Sequence, residues 1–120
     1  IFVPWDLEQR TELVRAATGW DITSFELVRA AERAWTLARV YNARQGFVAA
    51  DDRLPDRMFG PTTNGALAHG GLDRDAVDHA IHMFYEMMGW DRVTGIPTAT
   101  RLQELGVPWA VEALPATQAG

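Results

Sequence analysis

Three aspartates lie close together in the run DDRLPD at residues 51–56, a spacing that could bind a divalent cation. Helical enzymes that bind Mg²⁺ and diphosphate through aspartate clusters present the carboxylates on one helix face, and Pro55 interrupts a helix here. No second aspartate cluster occurs in the chain. Because semi-buried carboxylates are normally paired, we expect these acids to pair with Arg53 and Arg57 or to accept backbone N–H groups.

A second set of possible ligands lies in the segment that follows Asp73. Asp75, His79, His82 and Glu86 share one face of a helix with about 3.6 residues per turn, and such side chains can hold a transition metal. The other interpretation is a solvated polar face, because two histidines from one helix rarely complete a metal site. We favour the polar face, so the sequence predicts no catalytic, cofactor-binding or metal-ligating residue.

Helical periodicity runs through the whole chain, and no segment alternates with a period of two. We predict an all-α fold, a multihelical orthogonal array of about four to five helices. Their starts are indicated by capping residues: Asp6 with Gln9, Thr23 with Glu26, Asp73, and Thr98.

The second helix is predicted to be the longest, running to about Gln45 and stopping at Gly46. An apolar stripe at helical spacing predicts that it is buried on more than one side. The stripe consists of Leu27, Ala31, Ala34, Trp35, Ala38 and Tyr41, widened by Val28, Leu37 and Val40.

Glycines and prolines are concentrated between the second and third helices, which predicts one long ordered loop over about residues 47–72. Loops of this length are usually functional or partner-bound. We expect a helical domain over residues 1–112 and a flexible tail over 113–120, whose composition is small and polar.

Composition excludes several classes of function. The net charge is −5 and the eleven basic residues are scattered, which argues against a nucleic-acid partner. No apolar run approaches the ~20 residues of a membrane helix and no signal peptide opens the chain, so we expect a cytoplasmic protein without a membrane partner. The chain has no cysteine, which excludes iron–sulfur ligation and thiolate chemistry by its own residues.

Four segments in order resemble the C-terminal helical region of the aldehyde ferredoxin oxidoreductases. The most specific is N-x-R-x-G-F at residues 42–47 followed by D-D-x-L-P-x-R at residues 51–57. The long helix precedes it, and LDRDAVDHAIHMFYEMMGWD and TGIPTATRLQELGV follow. The resemblance extends over about residues 16–107.

This resemblance implies a parent enzyme that oxidises aldehydes to carboxylates. Such enzymes use a tungsten- or molybdenum-pterin and pass electrons through a 4Fe–4S cluster to a ferredoxin-like acceptor. The cofactor-binding parts of the family lie upstream of the region that matches. We therefore expect a C-terminal structural domain or fragment that binds no cofactor, is not catalytic alone and packs against upstream cofactor-binding domains. The alternative is a free-standing helical interaction module.

Five residues around the loop are interpreted, through the resemblance, as a structural strap that fixes this lobe to its neighbours: Asn42, Arg44, Asp51, Asp52 and Arg57. The five tryptophans and the broad apolar face of the second helix supply more hydrophobic surface than four short helices can bury. We therefore expect an exposed apolar face containing at least one tryptophan, and self-association through it.

Overall fold

The computed structural model of the chain describes residues 5–65, 68 and 70–115. Four α-helices lie in this part: α1 (Leu7–Thr18), α2 (Ser24–Arg44), α3 (Arg74–Met88) and α4 (Ala99–Glu104). Short 3₁₀ turns occur at Ala49–Asp51, Asp56–Met58 and Pro108–Ala113. Over the same residues no β-strand forms, and one isolated bridge joins Trp90 to Pro97. The predicted all-α, multihelical fold is confirmed.

Helix starts follow the local capping signals in the sequence. The side chains of Asp6 and Thr23 accept from backbone N–H groups three residues on, and Gln9 and Glu26 complete both capping boxes. The side chain of Asp73 caps α3 by accepting the backbone N–H of Asp75, and that of Thr98 caps α4 by accepting the backbone N–H of Arg101. These are contacts within one helical turn, which is why the sequence alone predicts them.

The core lies between the C-terminal half of α2, α4 and the 3₁₀ turn Pro108–Ala113. It is built from five buried side chains: Val40, Leu102, Leu105, Val107 and Ala110. Ala113 and Leu114 pack against this core, although the sequence placed the start of a flexible tail at residue 113. The rest of the predicted tail, residues 116–120, lies outside the described residues.

The burial of α2 differs from the prediction. Its buried residues are Thr36, Arg39, Val40 and Ala43, whereas Trp35 is 65% exposed and Tyr41 is 63% exposed. Ala31, Ala34 and Ala38 of the predicted stripe are exposed as well. The prediction that α2 is buried on more than one side is wrong for this chain, because the side turned towards α4 is not the side that carries the large apolar residues.

The loop between α2 and α3 is closed by a close backbone approach. Leu72 donates its backbone N–H to the carbonyl of Met58 at 2.9 Å. A Cβ added to Gly71 would lie 2.0 Å from the carbonyl carbon of Phe59, so only glycine fits at that position. The 3₁₀ turns at Ala49–Asp51 and Asp56–Met58 give the first half of this loop further internal hydrogen bonds.

The molecule is flat and open for its size. Its Cα radius of gyration is 18.2 Å, whereas a compact chain of this length has about 14 Å. Its accessible surface is 8854 Å², about a third more than the ~6,500 Å² typical of a folded monomer of this mass. Among the described helices, none is long and apolar enough to cross a membrane.

Candidate functional site: the groove between α2 and α3

A groove of about 720 Å³ lies between α2 and α3. Its walls are apolar, and its polar groups lie on the floor and at one end. Trp35 and Ala38 of α2 form one wall, Val77, Ala80, Ile81 and Phe84 of α3 form the other, Arg39, Tyr85 and Trp90 form the floor, and Asn42 with residues 51–54 closes the end.

A buried arginine organises the floor of the groove. Arg39 is 8% exposed; its Nε donates to the carbonyl of Gly95 at 2.8 Å and its Nη1 donates to Asp52 Oδ1 at 3.0 Å. Arg39 Nη2 lies 2.6 Å from Asp52 Oδ2, but the two groups are not aligned for a hydrogen bond, so this contact is an ion pair only. The Tyr85 hydroxyl donates to the same carboxylate oxygen. This Arg39–Asp52–Tyr85 network joins α2, the long loop, α3 and the turn at Gly95.

Aromatic packing completes the environment of the guanidinium. The Cζ atom of Arg39 lies 5.6 Å from the ring centroids of both Tyr85 and Trp90, within the range of a cation–π contact. Gly95 has φ +66°, and a Cβ there would lie 2.6 Å from Arg39 Nη2 and from Tyr85 Cζ. The network therefore requires glycine at position 95.

Tyr85 is a structural donor in this network. Burial, followed by its hydrogen bond to Asp52 and the charge of that carboxylate, raises the pKa of Tyr85 to about 12. The hydroxyl therefore stays protonated near neutral pH and keeps donating to Asp52. A general acid or base works best with a pKa near the operating pH, so Tyr85 does not fit that role.

The predicted strap residues fall in two groups. Asn42, Asp51 and Asp52 line the groove: Asp51 Oδ2 accepts the backbone N–H of Val48 at 2.9 Å, and Asp52 belongs to the network. The backbone carbonyl of Asn42 accepts from the N–H of Phe47 at 3.1 Å. Within the described part of the chain, Arg44 and Arg57 form no ion pair.

The expected pairing of the loop aspartates with Arg53 and Arg57 is not found. Asp52 pairs with Arg39, which lies on the preceding helix, and Asp56 pairs with Arg74 at 2.9 Å. The Asp51 carboxylate accepts a backbone N–H, from Val48, which is the other interaction that the sequence predicted for these acids. A partner one or two residues away cannot easily turn back onto the carboxylate in this extended segment, whereas Arg39 faces it across the loop.

The four candidate metal ligands on α3 do not form a site. Glu86 accepts from Arg92 at 2.8 Å, and the ring of His82 packs edge-on against Tyr85 at 6.4 Å between centroids. His79 and Asp75 are exposed. Across the residues with described structure, no three His, Cys, Asp or Glu side chains come together in a way that could hold a metal ion.

Sequence reasoning missed Arg39, Tyr85 and Trp90. One signal was available: Arg39 lies in the apolar run Leu37–Tyr41, and an arginine at a buried helix position is almost always paired. That signal identifies a buried arginine but not its partners, which come from distant parts of the chain.

A second ionic cluster fixes α4 to α2, away from the groove. Arg101 contacts Glu32 at 3.0 Å and Glu104 at 2.8 Å, and Arg29 contacts Glu104 at 3.1 Å. The pKa of Glu104 is lowered, mainly because Arg101 donates a hydrogen bond to its carboxylate. Arg33 donates to the carbonyl of Leu105 at 2.8 Å, which satisfies a carbonyl at the end of α4.

The fold and the groove define an all-helical lobe with an open apolar face. The family model described as aldehyde ferredoxin oxidoreductase, domains 2 & 3, matches residues 2–107. The chain belongs to the aldehyde ferredoxin oxidoreductase family, and the predicted resemblance is confirmed.

Curated relatives agree with this assignment. The tungsten-containing aldehyde ferredoxin oxidoreductase of Pyrococcus furiosus is 31% identical over 97 residues, and the enzyme of the same name from Pyrococcus horikoshii is 28% identical over 98 residues. These alignments cover 80% and 81% of this chain but only 16% of each relative. The chain thus corresponds to about a sixth of the length of these relatives.

A solved structure shows the same fold. The BamBC active site complex of benzoyl coenzyme A reductase, determined with 1,5-dienoyl-CoA, superposes with a TM-score of 0.71 at 24% identity. The match covers 91% of this chain and 15% of that chain.

Proposed function

We propose that this chain is the non-catalytic helical lobe of a tungsten- or molybdenum-pterin aldehyde oxidoreductase. The observation that carries the proposal is the open apolar groove in a chain equivalent to 16% of its tungsten-containing relatives. In the parent enzyme the lobe packs against cofactor-bearing domains and helps shield their reaction site from bulk solvent. The parent oxidises an aldehyde with one water molecule to a carboxylate, releases the protons to solvent and transfers the two electrons through a 4Fe–4S cluster to a ferredoxin-like acceptor.

The residues of this chain do not fit the metal cofactors of that parent. A 4Fe–4S cluster is held by cysteine thiolates, and the chain has no cysteine. The carboxylate on the groove floor is also not available to bind a metal cofactor, because Asp52 already accepts hydrogen bonds from Arg39 and Tyr85. The lobe therefore contributes shape and stability to the parent, and the redox chemistry belongs to the other domains.

The experiment compares the parent gene product with this chain alone. Each is purified, its tungsten, molybdenum and iron are measured, and aldehyde-dependent reduction of a viologen dye is followed. We expect metal and activity in the parent and neither in the chain alone. Activity in the chain alone, or a parent without aldehyde-dependent reduction, would contradict the proposal. A reading frame that starts directly before Ile1 would support the free-standing module instead.

A variant of the parent tests the structural role of the lobe. Asp52→Asn removes the charge that holds Arg39, so we expect less metal per protein and a lower melting temperature with an unchanged KM for aldehyde. Asp78→Asn is the matched control, because Asp78 is exposed on α3. An altered KM with full metal loading would indicate that Asp52 acts on the substrate.

A further inference from the structure

The two walls of the groove share a spacing that is specific to helix packing. On α2 the groove-lining residues are Trp35, Ala38, Arg39 and Asn42, and on α3 they are Val77, Ala80, Ile81, Phe84 and Tyr85. Each set follows the i, i+3, i+4, i+7 pattern of a face that packs against another helix. Trp35 and Phe84 are nevertheless 65% and 43% exposed. Both helices therefore present a packing face to a neighbour that the described residues do not supply.

The floor keeps the walls apart. Arg39 and Tyr85 bridge α2 and α3 through Asp52, and Trp90 packs beside them at 6.1 Å from the Tyr85 ring. Because this floor is buried and hydrogen-bonded, the groove cannot close by bringing α2 onto α3 without breaking the network. The apolar walls can be buried only by something inserted between them.

The amount of exposed surface decides what kind of occupant fits. The chain exposes on the order of 2,000 Å² more than a compact monomer of its mass, compared with about 800 Å² for each partner of a standard protein interface. A small molecule in a groove of about 720 Å³ would leave most of that excess bare. A polypeptide that continues along the lobe covers both the groove and the surrounding apolar surface.

Geometry argues against a second copy of this chain as the occupant. A symmetric dimer that paired the two grooves directly would bring two concave surfaces together, and these are not complementary. Insertion of a different part of a second copy is a heterologous contact, which gives a closed ring or an open filament depending on the rotation between the copies. The relatives extend far beyond the aligned region, which is 16% of their length, so a segment of the same polypeptide is available to fill the groove.

We propose that the α2–α3 groove is the docking site of an amphipathic α-helix from a part of the parent polypeptide outside residues 1–120. Its inward face carries large aliphatic side chains that pack between Trp35 and Phe84. Its polar end lies beside Asp51 and Arg53, which line the closed end of the groove. This inference rests on the proposed function, because it requires the chain to be part of a longer enzyme.

Site-specific thiol labelling in the parent tests the proposal. Ala80→Cys places a thiol on the groove wall, and His79→Cys places one on the opposite face of α3, where the native residue is exposed. Labelling is read by mass spectrometry of the α3 peptide, so thiols elsewhere in the parent do not interfere. We expect the Ala80→Cys thiol to react at least about tenfold more slowly in the parent than in the chain alone, since reaction then requires local opening. The His79→Cys thiol should react equally fast in both.

A photo-crosslinker then identifies the occupant. The photo-crosslinking amino acid p-benzoylphenylalanine is encoded genetically in place of Trp35, so the folded parent is irradiated without any thiol labelling or refolding. We expect crosslinked peptides from outside residues 1–120 of the same polypeptide. Equal reactivity of the Ala80→Cys thiol in parent and chain, protection of both positions, or crosslinks to a second copy would each overturn the inference.

The same parent preparations are assayed for aldehyde-dependent dye reduction, which separates the two proposals. An active parent with an open groove contradicts the docking helix and leaves the proposed function intact. An inactive parent with a protected groove contradicts the proposed function alone.

Discussion

The two faces of α2 differ in what they carry and in what covers them. The face towards α4 consists of small or medium-sized residues, Thr36, Val40 and Ala43, and each is at most 4% exposed. The face towards the groove carries Trp35, which is 65% exposed. An isolated domain would be expected to bury its largest apolar side chains first. This helix does the reverse, and the proposed docking helix on the groove side would account for the difference.

The packed face is also held by polar contacts within the chain. Arg33 of α2 donates to the carbonyl of Leu105 at 2.8 Å, and Arg101 of α4 contacts Glu32 of α2 at 3.0 Å. The groove face makes its polar contacts along the floor, through Arg39. The packed face therefore attaches α4 to α2, and the groove face carries the proposed association with other domains.

Removing a core side chain should have the largest effect on stability. Leu102 is 0% exposed between α2 and the turn Pro108–Ala113, so Leu102→Ala should lower the free energy of unfolding by about 2–5 kcal/mol through lost burial and a cavity. Urea unfolding measures this change. Leu13→Ala on α1, where Leu13 is 51% exposed, should cost at most about 0.5 kcal/mol. Equal losses would show that the packed face is not the core.

A side chain at Gly95 should break the floor of the groove. Gly95→Ala adds a Cβ that would lie 2.6 Å from Arg39 Nη2, at φ +66°. The matched control is Gly19→Ala, which has φ +72° but no atom within 4 Å of its added Cβ. We expect Gly19→Ala to cost about 1–2 kcal/mol from backbone strain and Gly95→Ala about 1–3 kcal/mol more from overpacking. Equal losses of unfolding free energy in the two variants would indicate that the groove floor rearranges around the added Cβ without strain.

Loss of the charge on Asp52 should destabilise the lobe to a smaller extent. Asp52→Asn leaves Arg39 without its carboxylate, and we expect a loss of about 1–3 kcal/mol in the free energy of unfolding. Asp21→Asn serves as the control, because the Asp21 side chain is 99% exposed. Denaturant midpoints that coincide for the two variants would mean that Asp52 is only a solvated charge.

Alkaline pH should weaken the floor through Tyr85. The pKa of Tyr85 rises from 10.0 to about 12 on folding, so between these values the folded state binds the phenolic proton more strongly than the unfolded state. The contribution is fully present below pH 10 and is lost as pH rises towards 12. Urea midpoints across this range should fall more steeply for the native chain than for Tyr85→Phe. Tyr41→Phe, at a residue that is 63% exposed, should retain the native slope.

Local features of the fold were predictable, because they depend on contacts within one turn. The caps at Asp6, Thr23, Asp73 and Thr98 were read correctly from the sequence. The motif around Asp51 and Asp52 also indicated the family. Its order and spacing carry that information without any knowledge of which atoms meet.

The floor of the groove was not predictable, because its partners are far apart in the chain. Arg39 reaches Asp52 across 13 residues and Gly95 across 56 residues. Helical spacing showed that Trp35 and Ala38 lie on a packing face, but it cannot show whether the partner belongs to this chain. The periodicity was therefore a wrong signal of burial within the chain, and its meaning as a packing face stays a prediction.

The most direct test of an interface on the groove face is the effect of Trp35→Ala in two contexts. Trp35 is largely exposed in the chain alone, so its removal there should change the free energy of unfolding by at most about 0.5 kcal/mol. In the parent the proposed docking helix covers the indole, and the same substitution should lower the melting temperature by several degrees, as expected for a loss of about 1–3 kcal/mol. A parent whose melting temperature is unchanged by Trp35→Ala would contradict the account.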